Sequence, residues 1–441
     1  MNKKIRIITF FAVLAGLFMS CGVGNNDKIG SNNEIENNEN NENNNNLETY
    51  KVSLPSTYDH LLEYELASNG VEYTVTSVSS KNILYVNIPS EYNGLPVTSI
   101  KSEAFLVCEN LVTVSIPDSV KSIGSWAFSG CDSLASIVIP SSVTSIGYLA
   151  FYHCNSLTIY CEAENEPAYW NNEWNYLVHN NDNTYDYVPT YWGINENNCG
   201  IKDGVYYVVE YGEGIVTGYT FNSLERVEVL NKITLNGRSY NVTNIVSRAF
   251  YNCSFLTSIT IQISVTSIRD ETFYGCSSLI SLTIPSSVTK IGECAFENCS
   301  SLTSIVIPKS VTSIGYGAFS GCSSLTTITI PDGVTSIGDG TFFRCTSLTS
   351  IIIPSSVTSI GYRAFCDCSS LTSIIIPSSV TSIRELAFEG CNSLTIYCEA
   401  SSQPSGWDSD WNRRYSYDNR YLPVYWAEQW SYVNGVPTPN K

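Results

Sequence analysis

The chain has 441 residues, enough for two or three domains, and only 15% of them are charged. Its formal net charge of −18 leaves few cations to neutralise phosphates. That excludes nucleic acid as a natural partner and argues against adsorption to a bare anionic membrane surface.

Residues 1–20 read as a secretion signal: Lys3, Lys4 and Arg6 precede an apolar run from Ile7 to Met19 that is too short to span a bilayer. Cys21, directly after Ser20, resembles the cysteine of a bacterial lipobox, which implies that it is the lipidated first residue of the mature chain. No other stretch is apolar enough to cross a membrane, so attachment is expected only through lipid at Cys21. Residues 21–50 are dominated by Asn and Glu, cannot bury enough apolar surface to fold, and read as a disordered tether.

The rest is a repeat. Phenylalanines stand at 105, 128 and 151, then at 250, 273, 296, 319, 342, 365 and 388, always 23 apart within each set. A cysteine follows each by three residues (Cys108 to Cys154, Cys253 to Cys391), and a leucine follows three later. This gives three repeats within residues 51–195 and seven within 196–428, with residues 429–441 as a tail. In one unit, Leu302, Ile305 and Ile307 mark a short strand, and Pro308, which lacks an N–H, ends its ladder. Val311 and Ile314 point inward from a second extended piece, and Ala-Phe fits a single helical turn. No unit can bury its own apolar face, so neighbours must stack.

The recurring A-F-x-x-C-x-x-L signature, over about 89–160 and 245–397, resembles the BspA-like leucine-rich repeats of bacterial surface proteins. The resemblance implies an α/β leucine-rich repeat solenoid, mostly β, built as two tandem right-handed arrays with parallel sheets on their concave sides and short helical turns. It also implies a surface adhesion protein that binds host matrix proteins or other cells, carried on a bacterial, outer, membrane. Each array ends in matched aromatics (Trp170 and Trp407, Trp174 and Trp411), which read as packed caps or, alternatively, as a glycan platform. GVEYTV at 70–75 parallels GVYYVV at 204–209 as an opening hairpin.

Nothing in the sequence points to catalysis, a cofactor or a metal. The ladder cysteines read as compact buried hydrophobes with free thiols, since a straight ladder does not converge to disulfide geometry. Cys366 and Cys368 flank Asp367, but Cys368 belongs to the ladder, and His60, His153 and His179 are scattered. Cys199, Cys294 and Cys366 lie outside the ladder and are expected to be the accessible thiols, Cys366 as an exposed loop substitution. Binding is the remaining class. Between the inward isoleucines, one outward residue per strand forms a column: Ser115, Val138 and Tyr160 in the first array, then Thr260, Thr283, Val306, Thr329, Ile352, Ile375 and Tyr397 in the second. Its later part, Val306, Thr329, Ile352, Ile375 and Tyr397, turns apolar and is the candidate binding surface. A discontinuous aromatic row (Trp126, Tyr148, Tyr316, Tyr362) is a second candidate.

Overall fold

Each 23-residue turn of chain has to close a circuit with its recurring Phe, Cys, Leu and Ile side chains pointing inward. The computed structural model shows how, over Leu47 and residues 60–179, 185–220, 225–262, 265–417 and 420–440. The signal segment, Cys21 and the tether, apart from Leu47, lie outside these residues. Leu47 packs against the core of the second array and donates its N–H to the Thr234 carbonyl at 2.8 Å.

Two parallel ladders run along each array. The leucine-strand sheet of the first comprises Tyr85–Asn87, Thr113–Ser115, Ser136–Ile139, Thr158–Cys161 and Thr190–Tyr191. A second ladder of two-residue strands, such as Ser122–Ile123 and Ser145–Ile146, stacks one isoleucine on the next. The second array repeats both, from Arg226–Val229 to Val424–Tyr425 on the leucine-strand side. As the missing proline N–H requires, Pro308 leaves the ladder and its carbonyl instead closes a turn with the Val311 N–H at 3.0 Å. Gly315 sits where rungs touch backbone to backbone: an added Cβ would fall 2.6 Å from the Glu293 nitrogen.

The Ala-Phe stretches are turns, not the helical turns expected. Each lies between two residues in the left-handed region, for example Cys294 (φ 49) and Asn298 (φ 59), which breaks any helix after a single i to i+3 bond. The alternate N–H groups are released to the next rung: Phe319 donates to Thr341 at 2.9 Å and Gly321 to Phe343 at 2.7 Å. Among the described residues, helix is confined to 3-10 turns at 60–61 and at Ala427–Gln429, and the fold is mostly strand.

Phenylalanine rings stack from rung to rung with centroids 4.9–5.8 Å apart, from Phe105 to Phe151 and from Phe250 to Phe388. Each stack is closed edge-on by a tryptophan at 5.9 Å, Trp174 in the first array and Trp411 in the second. Trp170, Trp174, Trp407 and Trp411 are all buried, and the indole N–H of Trp407 reaches the Val380 carbonyl at 3.1 Å. Packing is therefore what these residues do, and none of the four offers a sugar an open ring face.

Topology also corrects one alignment. Val75 pairs in parallel with Ile100 as Val216 does with Ile245, so Tyr73–Val78 corresponds to Glu213–Tyr219 rather than to residues 204–209. The second array thus has an opening hairpin, Cys199–Lys202 with Val205–Glu210, whose first strand has no counterpart in the described part of the first array. A similar hairpin, Trp430–Val433 with Val436–Pro439, follows the second array. Both turn on a left-handed pair, Asp203–Gly204 and Asn434–Gly435.

Candidate binding face of the leucine-strand sheet

The column between the inward isoleucines is fixed by strand alternation: Ile305, Ile328, Ile351 and Ile374 are buried, so their neighbours face out. Val306 is 78% exposed and Ile352 71%, and Thr260, Thr283 and Thr329 are exposed as well. Ile375 is half-buried. Ile280, one position before its strand, is exposed beside them. From Thr257 to Ile376 the leucine strands carry no charged residue.

The hydroxyls at the entrance to these strands are occupied by the sheet itself. Thr303, Thr326 and Thr349 each donate to a carbonyl of the preceding rung, at 3.5, 3.3 and 3.1 Å. What the column presents to a partner is the exposed side chains of Thr260, Thr283 and Thr329 and the aliphatic ones of Val306, Ile352 and Ile280. Aliphatic side chains exposed on a sheet face in this way make it a candidate interaction surface.

Tyr397 does not extend this open surface. It is buried under the C-terminal hairpin, with Tyr425 stacked at 5.6 Å and Trp430 edge-on at 5.4 Å, and the Trp430 indole donates to the Cys398 carbonyl at 3.0 Å. The corresponding column of the first array is closed too. Val138 and Tyr191 are half-buried and Tyr160 fully buried against Cys199, Ile201, Tyr206 and Val208 of the second array's opening hairpin. Tyr206 stacks on Tyr160 at 4.2 Å, and the Tyr160 hydroxyl shares a hydrogen bond with the Thr217 hydroxyl at 3.0 Å. Reading the sequence rung by rung missed both covers, because each comes from a hairpin outside the repeat. In the aromatic row, Tyr316 and Tyr148 are exposed while Trp126 and Tyr362 are half-buried, and only Trp126 and Tyr148 meet, at 5.7 Å.

All described cysteines are free thiols. In eight rungs the ladder thiol lies 3.0–3.3 Å from the phenylalanine carbonyl 26 residues earlier and donates to it, as Cys322 does to Phe296. Cys108 and Cys253 open their arrays and have no such phenylalanine before them. Cysteine is therefore a small apolar side chain that also satisfies a carbonyl lone pair.

Two of the three thiols expected to be accessible are buried. Cys199 is covered within the joint between the arrays, and only Cys294 is half-buried. Cys366 is buried because the next rung supplies Glu389 over it, with Sγ 3.7 Å from Oε2. Burial, with the charges of Asp367 and Glu389, pushes this thiol up. Burial alone would raise the Glu389 carboxyl, but the Ser416 N–H and the Arg363 guanidinium outweigh it and hold the group below its ordinary value. A protonated, shielded thiol beside a fixed carboxylate is neither a nucleophile nor a metal ligand. Among the described residues, no group of three or more His, Cys, Asp or Glu is placed to hold a metal, and no helix is long and apolar enough to cross a membrane.

Compared with known families, the chain matches a family model described as a BspA type leucine rich repeat region of six copies, over residues 76–166, 216–325 and 266–395. Among solved structures it is similar to a leucine rich cell surface protein from Faecalibacterium prausnitzii (24% identity, covering 84% of this chain and 99% of that one, TM-score 0.34). A leucine-rich repeat protein from Bacteroides ovatus aligns at 21% identity over 86% and 100% of the two chains (TM-score 0.34). One from Eubacterium ventriosum aligns at 20% over 79% and 95% (TM-score 0.44). No curated protein matches.

Proposed function

Because the chain belongs to the BspA-type leucine-rich repeat family, we propose that it is a cell-surface binding protein without a catalytic role. It adheres to host extracellular-matrix or cell-surface proteins, or to other cells, through the leucine-strand face of the second array. The observation that carries this reading is the open, uncharged run at Val306, Thr329, Ile352 and Ile375, of which Val306 and Ile352 stand 78% and 71% exposed. A flat face of this kind holds a partner modestly per molecule, and many copies on one cell multiply the attachment.

The test is solid-phase binding of the purified chain to immobilised matrix proteins and, in parallel, to glycans. Placing a carboxylate in the middle of the face with Ile352→Asp is expected to weaken protein binding more than about tenfold, as burying an unpaired charge costs at least ~1.4 kcal/mol. Unaltered binding by the variant, or retention on glycans alone, overturns the reading.

Lipid on Cys21 anchors the protein to a bacterial, outer, membrane, and the Asn- and Glu-rich segment that precedes Leu47 sets the folded body off from it. Replacing Cys21 by Ala is then expected to move the protein from the membrane fraction to the soluble one; equal membrane retention counts against lipidation.

A further inference from the structure

The same sheet face is bare in the second array and covered in the first, and the cover is a β-hairpin laid flat upon it. Cys199, Ile201, Tyr206 and Val208 project from one side of strands Cys199–Lys202 and Val205–Glu210, as strand alternation dictates. They meet Val138, Tyr160 and Tyr191 without an ion pair, through ring stacking and aliphatic contact. Beyond these contacts, Tyr206 also lines a small cavity of about 30 Å³ with Thr113, Ser115, Ser136 and Val138 of the same face. At the other end of the molecule Trp430, from the hairpin of Trp430–Val433 and Val436–Pro439, stands edge-on against Tyr397, while the rest of that hairpin stays largely exposed. The fold therefore covers this face at each end with side chains from a hairpin outside the repeat, fully in the first array and by Trp430 alone at the C-terminal end, and leaves the stretch from Thr260 to Ile375 open.

From this geometry we propose that the open stretch receives a β-hairpin, or a two-stranded sheet edge, of a partner protein. The partner's docking side carries alternating aliphatic and tyrosine side chains and no charge. This deepens the protein-binding reading above and rests on it. From Thr257 to Ile376 the receiving strands have no ionised group to recognise a charged ligand. Association is therefore carried by apolar burial and ring stacking and depends little on salt.

The probe is a head-to-tail cyclised peptide with the sequence of residues 199–209 and valine in place of Cys199, since a free two-stranded hairpin is only marginally stable. It is titrated into the full chain by fluorescence anisotropy at low and high salt. Saturable binding is expected, nearly unchanged by salt, weakened more than about tenfold by Ile352→Asp and by Val306→Asp. Thr312→Asp, an exposed position on the short-strand side, is expected to leave it intact. Failure of the peptide to bind, or binding indifferent to Ile352→Asp, overturns the proposal. If the peptide fails while matrix-protein binding still falls in the Ile352→Asp chain, the hairpin form of the partner is wrong and the face reading stands. If neither responds to Ile352→Asp, both are wrong.

Discussion

Replacing Phe319 by alanine is expected to cost the second array about 3–5 kcal/mol, the largest effect of any single truncation in the repeats. Phe319 is fully buried, with Phe296 at 5.4 Å on one side and Phe342 at 5.8 Å on the other, the rings nearly parallel. The gap cannot close by a shift of rungs. The backbone is held on one side by the Phe296 N–H to the Ala318 carbonyl at 2.8 Å, and on the other by the Phe319 N–H to Thr341 and the Cys345 thiol to the Phe319 carbonyl at 3.2 Å. Stability in a solenoid is a sum of nearest-neighbour couplings, so a void in mid-stack weakens two of them and divides the array. Urea unfolding should show a lower midpoint and a shallower slope, as the halves cease to melt together. Tyr316→Ala, three residues away but with its ring 56% exposed, should stay within about 0.5 kcal/mol. If the two variants cost the same, the phenylalanine stack is not what couples the rungs.

The difference between those two residues could be read from the 23-residue period alone. Period placed Phe319, Cys322 and Leu325 inward, and all three are buried. Matched spacing also placed Trp407 and Trp411 in a cap that packs. What failed were features that the period does not carry. The turn geometry at Ala-Phe rests on left-handed residues as unlike as Trp126, Arg248, Cys294 and Arg363, side chains that give no local sign of positive φ. The burial of Cys366 comes from Glu389, 23 residues on, whereas a loop alignment compares it only with polar neighbours such as Ser320, itself buried.

The candidate face was legible by rung and not by neighbourhood. Strand alternation put Val306 and Ile352 outward correctly, yet it treated Tyr160 and Tyr397 as their equals. The covering hairpins are non-repeating elements that meet these tyrosines across 46 and 33 residues of sequence. Their one local signal was present: the Asp203–Gly204 and Asn434–Gly435 pairs are hairpin turns by composition, and the second lies within what composition alone presents as a tail. Pro437 and Pro439 then occupy the places that Tyr206 and Val208 hold after the first turn, where each of those pairs with the following strand. A proline has no N–H to offer there, which discourages further strands from adding to that edge.

Raising the pH from 8 to 10 is expected to unfold the second array, and its cysteine ladder is the cause. Burial pushes the thiols of Cys253 and Cys345 up to about 12, and those of Cys276, Cys299, Cys322 and Cys368 well above the ordinary value. Below the unfolded value, near 8.5, both states keep the protons and the ladder costs nothing. Above it the unfolded chain releases protons that the folded chain holds, so stability falls by about 1.4 kcal/mol per thiol for each pH unit until the folded values are reached. Six thiols losing this together consume the 5–15 kcal/mol typical of a domain within about one to two units. Buried Tyr160, Tyr206 and Tyr219, all pushed up by burial, steepen the loss above pH 10 at the joint between the arrays. Tryptophan fluorescence and thiolate absorbance should change together over this window. The decisive measurement is urea stability at pH 8, 9 and 9.5 for the parent chain and for Cys322→Ala with Cys345→Ala. The double variant starts lower at pH 8, for the lost contacts, but should decline less steeply, by about 1.4 kcal/mol per unit for each thiol removed. Equal slopes, or a parent chain whose stability stays flat to pH 10, would mean that the thiols ionise in place and that the ladder is wetter than its full burial implies.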